Sequence, residues 1–221
     1  MIFQGFPFKN AMVRTIREIE LYIKVPYMKN RLRDKTRDQL VDNLNLIGVK
    51  ANMADRKSVT LEKTSISKHL EKTENSWYQR SLGLIEVIEG PIKWINVLKK
   101  DGSDKSPPRW WIVMGVDDNR VLSTSRKIQL KTIRKKNFPI FGKVTDVSWQ
   151  GSDKDTNLSD RLSKNEATKS LATRVGNIEI KIQTKEFKGW TITVDRKFNP
   201  TIEDWKTFQT IADYLLSAPS S

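Results

Sequence analysis

Ile178-Glu179-Ile180-Lys181-Ile182 and Trp190-Thr191-Ile192-Thr193-Val194 decide how this chain folds. Each alternates apolar and polar residues with a period of two, the pattern of a strand with one buried face and one wet face. Placed one after the other, they form the clearest hairpin in the sequence. The C-terminal part of the chain is therefore built on antiparallel sheet.

Working outward from the hairpin, Asn199-Pro200-Thr201 opens a last helix. Thr201 is its N-cap, Asp204 stands three residues further on, and Trp205, Phe208, Ile211, Ala212 and Leu215 form its buried stripe. Before the hairpin, residues 158–175 read as one helix through Leu158, Leu162, Ala167, Leu171 and Ala172, with Gly176 as its stop. Residues 151–157 read as a polar loop, and residues 143–149 as a strand. Further upstream, Leu84 to Ile88, Ile92 to Leu98 and Arg109 to Val116 are β-branched or aromatic runs separated by Glu89-Gly90-Pro91 and Lys100-Asp101-Gly102-Ser103. Three strands in sequence with turn-rich links predict an antiparallel meander.

The N-terminal part has a different texture. Met12, Val13, Ile16, Ile19 and Ile23 recur at helical steps up to Pro26. A second helix is expected over residues 29–47, using Leu32, Leu40, Val41 and Leu44 with Gly48 as its C-cap, and a third over residues 60–72. The fold class is α+β: a helical N-terminal portion followed by a mostly antiparallel sheet with packed helices. The expected division is a helical region at 1–76 and an α+β domain at 77–221, or one continuous domain.

Composition narrows the chemistry. The 221 residues contain 40 Lys+Arg against 26 Asp+Glu, a net charge of +14, while 37% hydrophobic and 9% aromatic residues suffice for a core. The absence of cysteine excludes disulfides, thiolate metal sites and Cys nucleophiles. The opening MIFQGFPFKN is too short and interrupted for a signal peptide, and no run reaches the roughly 18 to 20 apolar residues of a membrane span. A cytoplasmic protein is expected, and the sequence leaves its oligomeric state open.

Between Asn119 and Thr145 the chain carries eight basic residues and no Asp or Glu. Ile128, Leu130 and Thr132 alternate there with Lys127, Gln129 and Lys131, which predicts a strand. Phosphate backbones are held by such uninterrupted cations, with counterion release. The phosphate contacts expected are Arg126, Lys127, Lys131, Arg134, Lys135 and Lys136, with Trp110, Trp111 and Phe138 as stacking or packing partners. The implied partner is DNA, RNA or another polyanion, and an acidic protein would suit the same strip.

An enzymatic alternative starts from Glu179-Ile180-Lys181, which resembles the Glu-x-Lys element of restriction-type nucleases, although the Pro-Asp half is missing. The resemblance implies a divalent ion at Glu179, with Asp146, Asp160 or Glu166 supplying further oxygens. Alternation alone, however, also places Glu179 and Lys181 on the wet face of a strand, where they need no such role. No catalytic residues, metal ligands or cofactor are assigned. His69 is the only histidine, so no two-His site exists, and no phosphate-binding Gly-rich loop appears. Asp153-Lys154-Asp155 starts like a calcium loop but lacks its Gly and its final Glu, and Asp117-Asp118 reads as a turn. Arg31, Arg33, Lys35 and Arg37 near Tyr22, Tyr27 and Met28 offer an amphipathic membrane-docking reading, diluted by Asp34, Asp38 and Asp42.

Overall fold

The expected hairpin forms as predicted and sits inside a larger sheet. In this computed structural model the described residues are 34–54, 79–122, 127–138, 142–153, 156–184 and 187–218. The expected helices at 11–25 and 60–72, His69, Arg126 and the boundary at residue 76 lie outside them.

The described elements run α1 (Thr36–Leu46), β1 (Ala51–Met53), β2 (Arg80–Val87), β3 (Ile92–Lys100), β4 (Arg109–Asp117), β5 (Gln129–Lys136), β6 (Val144–Ser152), α2 (Leu158–Lys164), α3 (Glu166–Val175), β7 (Ile178–Thr184), β8 (Lys188–Val194) and α4 (Ile202–Ser217). The eight strands make one antiparallel sheet in the order β1-β2-β3-β4-β8-β7-β5-β6. The expected meander is its first half. The class is α+β.

Helix α1 begins at Thr36 rather than Lys29, since Asp34 and Lys35 are not helical, and it buries Leu40, Val41 and Leu44. After its turn at Gly48, Ala51 enters β1. The Asn45 amide donates to Ala51 O at 2.9 Å and accepts from Ala51 N at 3.1 Å. That side chain stands in for a neighbouring strand on this short edge. The helix expected at 158–175 is two helices. Asn165 leaves helical geometry (φ −84°, ψ 111°) and its side chain accepts from Thr168 N at 3.2 Å, capping a new start. Thr168 Oγ1 donates back to Leu162 O and Asn165 O, tying the two helices together. The polar loop expected from Gly151 starts later, because Gly151 and Ser152 still pair with β5.

Helix α4 carries the predicted capping box: Asp204 N donates to Thr201 Oγ1 at 3.2 Å, and Thr201 N donates to Asp204 Oδ2 at 3.0 Å. Arg174 Nε reaches Asp204 Oδ1 at 3.1 Å, which fastens α3 to the start of α4. The predicted stripe Trp205, Phe208, Ile211, Ala212 and Leu215 is buried throughout. These residues join Leu40, Leu44, Leu158, Leu162 and Leu171 over one face of the sheet, against Ile95, Ile112, Met114, Leu130, Ile180 and Ile192.

The opposite face has a smaller apolar cluster over β2, β3 and β4, made of Leu84, Trp94, Leu98, Val113 and Phe187. Trp94 meets Phe187 edge-on at 5.3 Å and lies across Gly115, its cross-strand partner. A Cβ on Gly115 would stand 1.9 Å from Trp94 Cε2, so the indole needs a glycine beneath it. Asp118 closes the end of β4: its carboxylate accepts from Arg120 Nη2 at 2.8 Å and Trp190 Nε1 at 3.1 Å, while Arg120 Nη1 holds Ala218 O at 3.2 Å.

Gly115→Ala is expected to destabilise the fold by about 2 kcal/mol or more, at the upper part of the overpacking range, because a rigid ring rather than a flexible tip blocks the new methyl. The midpoint of urea unfolding measures this, and an unchanged midpoint would mean that Trp94 is free to move aside.

Candidate nucleic-acid interface

The basic strip folds as the predicted strand, and its alternation divides the cations. Lys131 pairs across with Glu179 and Gln150, and Lys135 with Asp146, all on the face that no described helix covers. Lys127, two residues before Gln129, falls on the same face. Arg134 faces the helices, where its Nη2 donates to Thr173 O at 3.3 Å near the C-terminus of α3. Burial pulls the Arg134 guanidinium below its ordinary value, and the nearby Arg196 charge adds to that shift. Lys136 pairs with Val144, which packs on the helix-side core. The strip is thus two groups: Lys127, Lys131 and Lys135 on one side, Arg134 and Lys136 on the other.

Two cross-sheet rows define the helix-free face. One runs Asn96–Val113–Thr193–Glu179–Lys131–Gln150, and the next runs Trp94–Gly115–Thr191–Lys181–Gln129–Ser152. Over β3 and β4 the rows are apolar or buried, with the exposed Glu86 of β2 beside Trp94; over β8, β7, β5 and β6 they are hydroxyls, amides and charges. At the centre of that polar half, the Glu179 carboxylate has Lys181 Nζ at 3.0 Å, Lys131 Nζ at 3.3 Å and the Gln129 side-chain amide donating to it. Burial pushes Glu179 up, but the Lys181 and Lys131 ammoniums and the Gln129 amide outweigh it and hold the carboxyl below its ordinary value.

This geometry bears on the nuclease alternative. Glu179 is occupied by two ammonium groups and an amide. Asp160 pairs with Lys164 at 2.7 Å, Glu166 pairs with Lys169 at 2.9 Å, and Asp146 stands opposite Lys135. Among the described residues, no three acidic or histidine side chains group closely enough to hold a metal ion. Asp153 instead accepts from Ser159 N at 2.7 Å at the start of α2.

Trp110 and Trp111 lie on opposite faces of β4, as neighbours in a strand must. Trp111 packs on the Leu84–Trp94–Leu98 cluster; Trp110 carries Lys197 Nζ 3.8 Å and Lys99 Nζ 5.4 Å from its ring centroid. Such cation–π contacts contribute about 0.5–1 kcal/mol each where exposed. The pairing of β8 with β4 ends at Val194 opposite Ile112, so Arg109, Trp110 and Trp111 run on with β3 alone. Asp195, Arg196 and Lys197 turn away there, leaving an open cleft of about 530 Å³ between the two segments. Asp195 is engaged by Asn177, through N at 3.1 Å and Nδ2 at 2.7 Å, and lies 3.9 Å from Arg196 Nε. Phe138, also expected beside the strip, follows β5 and is largely exposed.

Sequence reasoning missed Arg196 and Lys197. The available signal was a basic pair directly after a strand, Val194-Asp195-Arg196-Lys197, but nothing local connects it to Trp110. Lys181 was visible only as part of the Glu-x-Lys element. No protein-family model matches this chain, and neither curated proteins nor solved structures give a significant match. No described helix is long and apolar enough to cross a membrane.

Because the folded state holds Glu179 below its ordinary value, its ion pairs add stability above about pH 4.3, and that stability is lost as pH falls through the depressed value. Urea unfolding of the wild type and Glu179→Gln should therefore differ near neutral pH and converge in acid. Equal stabilities at every pH would show that the two lysines do not hold the carboxylate.

Proposed function

We propose that this protein binds nucleic acid through the polar half of its helix-free sheet face. The observation that carries the reading is the make-up of that half. Its charged residues are Lys127, Lys131, Lys135 and Lys181 against Asp146 and Glu179, and the remainder are Gln129, Gln150, Gln183, Ser148, Ser152, Thr191 and Thr193 with one exposed apolar side chain, Ile133. Four cations against two carboxylates leave an excess positive charge. The amides and hydroxyls are the neutral groups that hydrogen-bond to phosphate and sugar oxygens.

Spacing supports the same partner. Lys127, Lys131 and Lys135 stand four residues apart, about 13 Å at the strand rise, so the row follows an extended polyanion rather than one compact anion. Lys131 and Lys181 share a single carboxylate, so a phosphate arriving beside them meets charge that Glu179 only half neutralises. Arg134 and Lys136, expected as phosphate contacts, lie on the other side of β5 and take no part in this row.

If the four lysines neutralise four phosphates, log affinity should fall with log salt at a slope between about −2.8 for single strands and −3.6 for duplex DNA. Reversing Lys127, Lys131 and Lys135 together to Glu should abolish binding at low salt without changing the circular dichroism spectrum. Glu179→Gln should act in the opposite direction, tightening binding several-fold by releasing both lysines. Binding unaffected by the triple reversal would remove this face from consideration.

A further inference from the structure

The lysine row explains attraction to a phosphate chain, but it does not explain the cleft at the end of β4. There, three cations, Arg109, Arg196 and Lys197, line the opening with the single carboxylate of Asp195, which Asn177 already occupies. Among the described residues, neither Arg109 nor Lys197 has a carboxylate partner. Trp110, on the wall, has the ammonium groups of Lys197 and Lys99 against its ring. The site therefore combines an aromatic plate with excess positive charge.

We propose that this cleft takes one unpaired nucleotide of a bound strand, its base on Trp110 and its phosphate between Arg109 and Lys197. This rests on the nucleic-acid reading above and specifies its substrate class as single-stranded. The chemistry fits part by part. Stacking of a base on an aromatic ring is stronger than an exposed cation–π contact, so a base displaces Lys197 from the indole at a net gain. The released ammonium then meets the phosphate that arrives with the base. The volume lies within the range of about 300–1,000 Å³ typical of small-ligand sites. A duplex offers none of this, because its bases are already stacked and extruding one costs binding energy.

The opposing explanation is that Lys197 and Lys99 simply pack on Trp110 and that the cleft is surface relief. The two accounts differ in what Trp110 does for binding. The experiment compares the full chain's affinity for a labelled oligothymidylate and for a duplex of equal length, at one low salt concentration, with Trp110→Ala, Trp110→Phe and Arg109→Gln. The wild type should prefer the single strand by at least about tenfold, with quenching of tryptophan fluorescence. Trp110→Ala should weaken single-strand binding roughly 5- to 150-fold and leave duplex binding unchanged. Trp110→Phe, which keeps an aromatic plate, should lose less. Arg109→Gln should lower the salt slope for the single strand by about 0.7.

Equal affinity for both forms, with Trp110→Ala silent, would overturn the cleft while leaving the lysine face intact. If neither form binds at low salt, the nucleic-acid reading itself is overturned, and the cleft assignment with it. Should Trp110→Ala unfold the protein, the wild-type preference and the Arg109→Gln slope still decide the matter.

Discussion

The pairing of β4 with β8 is the constraint from which the rest of the structure follows. It runs from Ile112 opposite Val194 to Asp117 opposite Gly189, and it joins two groups of strands that are far apart in sequence. Without it, the β1–β4 meander and the β8-β7-β5-β6 group would each present a bare central edge. The pairing also sets both faces at once. Ile112, Met114 and Val116 stand against Val194, Ile192 and Trp190 beneath the helices, while Val113 and Gly115 stand against Thr193 and Thr191 on the other side. A slip by one residue would exchange those sets and bury hydroxyls under α4. At the far end of the ladder Gly189, at φ +147°, lies so close to Val116 O that a Cβ would stand 2.2 Å from it, so the residue chemistry itself marks this register.

Where that pairing stops is as consequential as where it runs. Because β4 continues past Val194 while the chain turns at Asp195, the sheet splays, and side chains from both faces of β4 reach one opening. The same ladder carries the helix-free face from an apolar half to a polar half within one strand spacing. Backbone hydrogen bonds hold the rows in register, while Lys131, Lys181 and Gln129 converge on the Glu179 carboxylate. Glu179 tempers the charge between Lys131 and Lys181 and limits their mutual repulsion in the absence of a ligand.

Particular elements show how much of this was legible. The Ile178–Val194 hairpin and the Thr201–Asp204 capping box were readable because each is encoded within a few residues: alternation in one case, a reciprocal side-chain bond in the other. The break at Asn165 was not read, because an asparagine inside an apolar helical period looks tolerable until its side chain caps the next helix. Strand β1 was missed because three residues carry no period, and its ladder is completed by the Asn45 amide. The basic strip was found and its strand state was right. Its division into Lys127, Lys131 and Lys135 against Arg134 and Lys136 follows from the same alternation, yet which group would face the helices depended on the neighbours of β5.

Sequence alone determined the α+β class, the antiparallel meander, the capped final helix and the excess of positive charge, since each rests on local periodicity, local capping or a simple count. Only the tertiary structure decided which lysines share a face, that Glu179 sits between two of them, and that Trp110 meets Lys197 across a gap in the sheet. Those facts come from register between strands remote in the chain, and register is set by the packing of the whole core rather than by any segment of it.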